Sequence, residues 1–406
     1  MLALALVIST PCLIEVSTRG RDAAIALGPG VPVAEGVTLY RPDTRSVSEL
    51  PQPLAVQALA LDPGAVDLTT ALSLGRQQGR ATVSDAARRE GAMAGVNAGF
   101  FVLATGDPTG ALRVDGDLVS EGRLLRGAVA ITAGANGVSL TFDRVRVRVG
   151  VEVRVGRTWR EAPLDGVDTV RRLNGATLYT ARFGPDTATP ASGVEWLLST
   201  PGPVQADRSA TATLIAEARV SKRIVGGASA IPAAGVLSFG GSQPPAPFDR
   251  LVAGGRVRLR QTWEAESGRD ASALFARADD VVGGAGLLIR GGRAIDDWSV
   301  EQTGDSLRTV RHPRTMIGVD ARSRIWLVTV DGRQPGYSVG VTMVELRQLA
   351  QAMGLTNALN LDGGGSTTMV VKGEIVNRPS DATGPRTVSD VLLVRPRPGR
   401  PARAPR

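Results

Sequence analysis

Short apolar runs separated by glycine- and proline-containing turns make up most of this chain. The run Leu59-Ala60-Leu61 ends at the turn signal Asp62-Pro63-Gly64. Two apolar runs, Met316 to Val319 and Ile325 to Val330, are joined by a polar turn and predict a β-hairpin. The alternation from Arg144 to Val149 predicts a strand whose arginine face is solvated. Such runs predict many short strands.

Helical patterns are few and short. Ser84 is expected to cap one helix, with Asp85 in its first turn and Gly91 at its end. A second helix is expected to begin at Thr342 and to end at Gly354, because Thr342 and Glu345 have the spacing of a capping box. Together with the strands, these helices predict an α+β or mixed α/β fold with a β-rich sheet core and a few short helices.

An acid follows one of the predicted buried strands. Ala358 to Leu361 is apolar enough to be buried, and it is followed by Asp362 and then by three glycines. The next two runs, Thr368 to Val371 and Glu374 to Asn377, flank a turn and predict another hairpin. Asp362 is therefore expected at the end of a rigid strand, where active-site groups are often held.

Composition supports a globular protein and bears on its partners. The chain has 406 residues, 43% of them hydrophobic, with 49 glycines, 25 prolines and few aromatic residues. Its formal charge of +8 favours anionic partners. The arginines are scattered without interleaved aromatic residues, so we do not expect nucleic acid to be a partner. Residues 396–406 form a basic tail rich in proline and arginine that we expect to be disordered.

The N-terminal apolar run has the length of a signal-peptide core. It extends from Leu2 to Ile8 and is too short to span a bilayer. We assign residues 1–20 to a signal peptide and expect a secreted, periplasmic or cell-envelope protein without a transmembrane span. An amphipathic first strand is the alternative, because no basic residue precedes the run. Cys12, the single cysteine, excludes an intrachain disulfide.

The three glycines after Asp362 are the clearest candidate for chemistry. Gly363, Gly364 and Gly365 can bring several N–H groups toward one anion, and Ser366 and Thr367 add hydroxyl groups. No lysine follows the glycines, which argues against a nucleotide-binding loop. A sharp turn between two strands is the alternative explanation.

Several motifs, taken in order, resemble the phosphodiester glycosidase family. They are Asn97-Ala98-Gly99-Phe100-Phe101, Arg314-Thr315-Met316-Ile317-Gly318, Asp331-Gly332-Arg333, Asn360-Leu361-Asp362-Gly363-Gly364-Gly365-Ser366 and Pro379-Ser380-Asp381. The resemblance is strongest from His312 to Val394 and extends weakly back to Gly36. We therefore expect one family-like domain over residues 30–395, in which the less recognisable region 142–283 is an insertion.

The resemblance implies a mixed α/β fold and hydrolysis of a sugar 1-phosphodiester in an extracellular or cell-envelope glycan. The expected substrate is an anionic glycan or a sugar phosphate. Because a phosphate leaving group is already anionic, it needs little help from an acid, and one carboxylate with a strong anion site is sufficient. A non-catalytic carbohydrate-binding protein on the same scaffold and a phosphodiesterase that cleaves phosphorus–oxygen bonds are the alternatives.

Each candidate residue has an expected role beside a structural alternative. Asp362 is expected to be the nucleophile or the base, with turn capping as its alternative. Arg314 is expected to hold phosphate through its planar guanidinium group, with a surface arginine as its alternative. Asp331 is either a second carboxylate or part of an Asp-Gly turn. Asn97 enters the catalytic set by resemblance, although backbone contacts of a buried asparagine explain it nearly as well.

Three further residues complete the expected substrate site. Thr315 adjoins Arg314, and His312 is expected nearby because Pro313 keeps this segment extended. Asp107 either lines the pocket or shapes its own loop. The acids Asp362, Asp331 and Asp107 are oxygen ligands that suit calcium or magnesium, but no metal-binding spacing is present. No cofactor or obligatory metal is therefore expected.

Overall fold

A computed structural model describes residues 25–199 and 212–397. The signal peptide predicted for residues 1–20, Cys12 and most of the basic tail lie outside these residues. Within them, no helix is both long and apolar enough to cross a membrane. Most strands and the helices are short, as the sequence predicts, although the strands Gly137–Val155 and Thr213–Val225 have 19 and 13 residues. The β-rich fold with few short helices is confirmed.

The strands of the described residues, in chain order, are β1 Val31–Ala34, β2 Val37–Tyr40, β3 Val56–Leu61, β4 Val66–Leu72, β5 Ala94–Asn97, β6 Leu112–Val114, β7 Asp117–Ser120, β8 Arg126–Gly134, β9 Gly137–Val155, β10 Thr158–Ala162, β11 Gly166–Val167, β12 Ala176–Tyr179, β13 Val194–Ser199, β14 Thr213–Val225, β15 Val236–Phe239, β16 Arg256–Ala265, β17 Asp280–Gly283, β18 Leu287–Arg290, β19 Arg293–Ala294, β20 Arg314–Asp320, β21 Ile325–Val330, β22 Leu355–Asn360, β23 Met369–Val371, β24 Glu374–Ile375 and β25 Asp390–Pro396. The α-helices are α1 Val83–Arg89, α2 Arg269–Arg277, α3 Asp305–Thr309 and α4 Met343–Ala352. Short 3₁₀ turns lie at Thr44–Ser46, Phe248–Arg250, Ser299–Glu301 and Gly364–Ser366.

These strands form three sheets. The first has the order β1-β2-β3-β21-β20-β22-β18-β19, and the third has the order β24-β23-β5-β25-β4. The second and largest sheet contains β6 to β17, with β10 paired to β9 at one side. Neighbouring strands are antiparallel except for β11 and β12, which are parallel.

The first and third sheets pack face to face between two helices. One face of the first sheet supplies Leu59, Ile317 and Leu327 to a core that also contains Val96 and Leu392 from the third sheet. The opposite face of the first sheet packs against α4, and the opposite face of the third sheet packs against α1. The result is a layered arrangement of helix, sheet, sheet and helix, in which strand ends from both sheets meet.

The second sheet contributes Val114, Ile131 and Phe142 to the core shared by the first and third sheets, and it has a further apolar core of its own. This core includes Trp196, Trp263 and Phe275, together with the alternate valines of β9. The predicted insertion, residues 142–283, lies largely in this sheet and in α2. However, β6, β7 and β8 precede residue 142 and join the same sheet, so its strands begin before the expected boundary.

Most of the predicted elements are present, and two details are wrong. The hairpin of β20 and β21 and the capping box of α4 are as expected. However, α1 is capped by Thr82, whose side chain accepts from the Asp85 N–H at 3.1 Å, while Ser84 lies inside the helix. Arg144 is buried instead of solvated, because its Nε donates to the buried carboxylate of Glu301 at 3.0 Å.

Candidate active site

Three segments meet around Asp362. Its N–H donates to the Ala98 carbonyl at 2.9 Å, and the Ala98 N–H donates to the Asp390 carbonyl at 3.2 Å. Ala98 follows β5, Asp362 follows β22 and Asp390 begins β25. Ala98, at the end of the central strand of the third sheet, therefore lies between Asp362 and Asp390, which come from distant parts of the chain.

Asn97 holds the main chain of Asp362 in place. Its Nδ2 donates to the Asp362 carbonyl at 2.7 Å, while its Oδ1 accepts from Thr315 Oγ1 at 2.7 Å and from the Thr368 N–H at 3.2 Å. Both side chains, Asn97 and Thr315, are buried. The structure thus brings both predicted residues next to Asp362, but their polar atoms contact other protein groups.

The Asp362 carboxyl lies in a poorly solvated position, although its side chain remains partly accessible. Burial raises the pKa of Asp362 to about 6 against the opposing effects of Ser366, the Gly363 N–H, Arg386 and Arg314. The Gly363 N–H donates to its Oδ1 at 2.8 Å. An acid with a pKa near neutrality suits proton transfer or nucleophilic attack at physiological pH.

The glycine loop differs from the expected nest of converging amides. The Gly364 N–H donates to the Pro313 carbonyl at 2.9 Å, and the Ser366 and Thr367 N–H groups donate back into the loop at 3.2 Å each. The Gly363 N–H donates to the Asp362 carboxylate. Most backbone N–H groups of the loop are therefore already hydrogen-bonded within the protein. Side chains around the loop must therefore provide most of the anion recognition.

Two arginines lie against the glycines. A Cβ atom on Gly364 would lie 3.1 Å from Arg333 Nη2, and one on Gly365 would collide with the Asp381 carboxylate and with Arg386 Nη2. Arg386 forms a bidentate pair with Asp381, with Nε on Oδ2 at 2.9 Å and Nη2 on Oδ1 at 3.1 Å. At Gly365 an added Cβ would therefore displace the Asp381–Arg386 pair, whereas at Gly364 the φ of +62° is the feature that favours glycine.

Three charged residues of this cluster are absent from the predicted site. Arg333 and Asp381 belong to motifs of the family resemblance, and Arg386 belongs to none of them. The positive charge of Arg386 favours the ionised form of Asp362. The repeated glycines at 364 and 365 were a signal that other groups approach the loop closely. They did not reveal which groups these are.

Arg314 lies deep in the protein beside this cluster. Its Nε donates to the Val341 carbonyl at 3.1 Å, and its Nη2 donates to the carbonyls of Leu307 at 2.6 Å and Val310 at 3.2 Å. Burial, followed by the charge of Arg333, lowers the pKa of Arg314 to about 10, so it remains a cation at neutral pH. The charge of Arg314 favours ionised Asp362. Its Nε and Nη2 groups, however, donate hydrogen bonds to backbone carbonyls of neighbouring loops.

His312 lies at the edge of the same cluster. Arg333 Nη2 and His312 Nδ1 are 3.0 Å apart, and because arginine can only donate, Nδ1 is the acceptor. Burial and the charges of Arg314 and Arg333 lower the pKa of His312. The neutral ring therefore orients Arg333 from its Nδ1 side, while Nε2 lies 3.5 Å from the Ser306 hydroxyl.

Both carboxylate oxygens of Asp331 accept hydrogen bonds from neighbouring loops. Its carboxylate accepts from Tyr337 Oη at 3.0 Å, from Asn377 Nδ2 at 2.9 Å and from the Arg378 N–H at 3.0 and 3.1 Å. Burial nevertheless raises the pKa of Asp331. Asn377 also donates to the Thr367 carbonyl at 3.1 Å. Asp331 is thus connected through Asn377 to the end of the glycine loop.

Asp390 is a second acid that sequence reasoning missed. The Gly99 N–H donates to its Oδ1 at 2.6 Å, whereas its Oδ2 is buried without a protein partner among the described residues. Burial raises the pKa of Asp390 to about 6, and the charge of Asp362 contributes to this rise. The two acids therefore interact electrostatically, which links their titrations. No local pattern marks this acid, because its contact with Gly99 joins residues that are 291 positions apart.

Unsatisfied polar atoms are concentrated around these acids. Ser366 Oγ lies near enough to favour ionised Asp362 but does not form a direct hydrogen bond with it. Buried polar atoms usually have partners, so such a group is a candidate contact surface for water or a ligand. Among the described residues, those of this region without a protein partner are Asn360 Oδ1, Ser366 Oγ, Thr367 Oγ1, Thr368 Oγ1, Ser380 Oγ, Ser389 Oγ and Asp390 Oδ2.

Asp107 lies in a loop of its own. Its Oδ2 accepts from Thr105 Oγ1 at 2.9 Å, and its charge acts on the buried Asp168. No contact between Asp107 and Asp362 is found among the described residues. Nor do these residues include three or more His, Cys, Asp or Glu side chains grouped so that they could hold a metal ion.

One cavity lies away from these acids. It has a volume of about 590 Å³ and lies on the inner face of the second sheet, lined by residues that include Leu178, Leu214 and Leu259. A smaller cavity of about 190 Å³ is lined by Gly110 and Gly283. The Gly283 carbonyl lies 3.3 Å from the position of a Cβ on Gly99, so this cavity adjoins the segment that contacts Asp390.

Known proteins resemble this chain in sequence and in fold. The N-acetylglucosamine-1-phosphodiester alpha-N-acetylglucosaminidase of Bos taurus is 32% identical over 116 residues, which are 27% of this chain and 22% of the bovine protein. The match thus spans about a fifth of the bovine relative's length.

Two solved structures share the fold. A hypothetical protein from Synechocystis has a TM-score of 0.69 and 23% identity, covering 91% of this chain and 63% of its own. A Burkholderia pseudomallei protein described as exported has a TM-score of 0.67 and 25% identity, covering 85% of this chain and 74% of its own.

Residues 224–395 match the sequence profile of the phosphodiester glycosidase family. The match begins inside the region 142–283, which sequence reasoning considered poorly recognisable, and it includes Arg314, Asp331, Asp362 and Asp390. It supports a hydrolase of the glycosidase type. Over its C-terminal residues 224–395, the chain is therefore confirmed as similar to the phosphodiester glycosidase family.

Proposed function

We propose that this chain hydrolyses the glycosidic bond of a sugar 1-phosphodiester in an extracellular or cell-envelope glycan. The observation that carries the proposal is the position of Asp362, an acid with a pKa of about 6 beside a glycine loop bordered by Arg333 and Arg386. Such a site combines one reactive carboxyl group with recognition of an anion. The match to the phosphodiester glycosidase family supports the same reaction class.

In this proposal Asp362 and Asp390 have different roles, one as a base and the other as an acid. Ser366, the Gly363 N–H, Arg386 and Arg314 all favour ionised Asp362, whereas fewer groups favour ionised Asp390. We therefore assign the ionised form to Asp362 and the protonated form to Asp390, whose Oδ2 has no protein partner among the described residues. Ionised Asp362 is then the nucleophile or the base that activates water, and protonated Asp390 is a hydrogen-bond donor to the substrate.

In this proposal Arg333 and Arg386 bind the phosphate leaving group. Arg386 uses Nε and Nη2 for Asp381, and its Nη1 hydrogens remain for a phosphate oxygen. A new bond forms at the anomeric carbon while its bond to the phosphate oxygen breaks, and the electron pair stays on the phosphomonoester. Arg333 and Arg386 stabilise the charge that develops there. Asn97, Thr315 and Asp331 act as positioning residues in this scheme, since their polar atoms contact protein groups.

Hydrolysis in oxygen-18 water tests the proposal. The substrate is a methyl phosphodiester of a sugar 1-phosphate, with N-acetylglucosamine among the sugars tested because the bovine relative carries that name. Cleavage of the glycosidic bond places the label on the anomeric hydroxyl of the released sugar. Label in the phosphomonoester would instead identify a phosphodiesterase. Tight binding of sugar phosphates without turnover across the series would identify a carbohydrate-binding protein.

A further inference from the structure

The outward face of the second sheet is rich in arginine. In β9, β14 and β16 the alternate residues Val151, Ala218 and Val257 are buried in the core, so the residues between them face outward. The paired registers of these strands continue the same alternation across the sheet. The outward arginines are Arg146, Arg148, Arg154, Arg219, Arg256, Arg258 and Arg260.

Three of these arginines surround one tryptophan at a corner of the sheet, and a fourth lies beside them. Arg219 lies directly opposite Arg256 on the neighbouring strand. The guanidinium carbons of Arg154, Arg256 and Arg258 lie 5.3, 5.8 and 3.9 Å from the centre of the Trp159 ring. We call Arg154, Arg219, Arg256, Arg258 and Trp159 the basic corner.

The basic corner contains more positive charge than its acids neutralise. Glu217 accepts from both Arg256 and Arg258. Two further acids of this face are paired further along the sheet, Glu152 with Arg260 and Glu264 with Arg146. The exposed Glu161 lies on the same face, because it is opposite Glu152 and two residues after Trp159, so two acids stand beside the four arginines of the corner. Among the described residues, neither Arg154 nor Arg219 forms an ion pair. Like charges directly opposite on neighbouring strands destabilise a sheet, so a bound polyanion would relieve this repulsion.

We propose that the basic corner binds an anionic polysaccharide. Neighbouring strands lie about 4.8 Å apart, so guanidinium groups on adjacent strands can meet the closely spaced charges of a polymer. Trp159 is partly exposed and adds an apolar surface against which a sugar ring can pack. Single-stranded nucleic acid is the less suitable partner, because its binding sites use several aromatic rings for successive bases, whereas this corner has one.

This binding surface is separate from Asp362 and does not depend on the proposed hydrolysis. If both proposals hold, the basic corner retains a polymer whose phosphodiesters are cleaved elsewhere on the chain. Binding can be measured with the Asp362→Asn variant, so a failure of catalysis and a failure of polymer binding are distinguishable.

The test compares two triple variants with the same loss of charge. Arg154→Gln, Arg219→Gln and Arg256→Gln alter the basic corner. The matched control carries Arg76→Gln, Arg293→Gln and Arg322→Gln at exposed positions elsewhere. Binding of the full chain to dextran sulfate, to neutral dextran and to single-stranded DNA is measured by calorimetry at two salt concentrations. Melting temperatures confirm that all variants fold.

We expect dextran sulfate to bind in a salt-dependent manner and neutral dextran not to bind. The corner variant should lose at least about tenfold in affinity and the control less than about twofold, since separate surface charges act nearly independently. The corner variant should melt no lower than the wild type. Equal losses in the two triple variants, no binding to dextran sulfate, or tighter binding to DNA than to dextran sulfate would each overturn the proposal.

Discussion

Asn97 and Asp362, which are 265 residues apart, are joined by a 2.7 Å hydrogen bond from the asparagine Nδ2 to the aspartate carbonyl. The same asparagine accepts from Thr315 and from the Thr368 N–H. A single buried side chain thus connects the first sheet, the third sheet and the glycine loop. It fixes the backbone from which the Asp362 carboxyl projects.

Removing the Asn97 side chain should impair both stability and activity. Asn97→Ala leaves the Asp362 carbonyl, the Thr315 hydroxyl and the Thr368 N–H without their partner. We expect a loss of about 2–4 kcal/mol in the free energy of unfolding, measured by urea denaturation. We also expect kcat/KM to fall about 100-fold, because small displacements of reacting groups are costly. Asn136→Ala, in the exposed turn between β8 and β9, is the control and should change neither value. Wild-type activity in Asn97→Ala would exclude the positioning role.

Gly365 should not tolerate a methyl group. A Cβ there would collide with the Asp381 carboxylate and with Arg386. Gly365→Ala is therefore expected to displace that ion pair and to weaken binding of inorganic phosphate at least tenfold, measured by calorimetry. The control is Gly150→Ala in β9, where a Cβ meets nothing within 4 Å. Equal phosphate affinity in both variants would show that the ion pair does not contribute to the anion site.

Removing Arg386 should affect both substrate binding and the Asp362 titration. Arg386→Gln leaves one less cation for the phosphate, so KM should rise about tenfold or more, the effect of losing one charged hydrogen bond. Arg386 also favours ionised Asp362, so the acidic limb of the pH–rate profile should move to higher pH. Arg322→Gln, on the exposed turn after β20, should change neither quantity. An unchanged acidic limb would contradict the electrostatic contact between Arg386 and Asp362.

The sequence predicted the elements that depend on neighbouring residues. The capping box of Thr342 and Glu345 and the position of Asp362 after a buried strand are local patterns, and the structure contains both. The role of Asp390 could not be found in this way, because it arises from pairing of β25 with β5, whose contacting residues Gly99 and Asp390 are 291 positions apart. Arg386 likewise reaches Gly365 only because its loop folds back over the glycines. The spacing of residues within one segment does not show such contacts between distant segments.

The coupled acids predict a pH dependence of stability. Burial raises the pKa of Asp390 to about 6 from an ordinary value of 3.8, so the folded state binds more protons than the unfolded state between these values. This contribution to stability should therefore be lost as pH rises from about 4 to 6. Burial also raises the pKa of Asp362 to about 6 and the pKa of Asp280 to about 7, so the whole fall should extend to about pH 7. Asp390→Asn should make this fall shallower and stabilise the protein by about 1–3 kcal/mol at pH 7. Thermal unfolding between pH 4 and 8 measures both effects.

The same substitution should change the activity profile. Without the charge of Asp390, the pKa of Asp362 falls, and the acidic limb of the pH–rate profile should move to lower pH. The alkaline limb, which we assign to loss of the Asp390 proton, should disappear. A variant with an unaltered profile would show that Asp390 takes no part in the reaction.

Turnover and binding by Asp362→Asn test the central claim most directly. The substitution removes the reactive carboxylate but retains nearly the same shape, and the structure predicts at least about a thousandfold loss in kcat on a sugar 1-phosphodiester. Binding of the corresponding sugar 1-phosphate should stay within about threefold of the wild type, because Arg333 and Arg386 remain in place. Release of phosphomonoester by Asp362→Asn at the wild-type rate would contradict the assignment of Asp362 as the reactive acid.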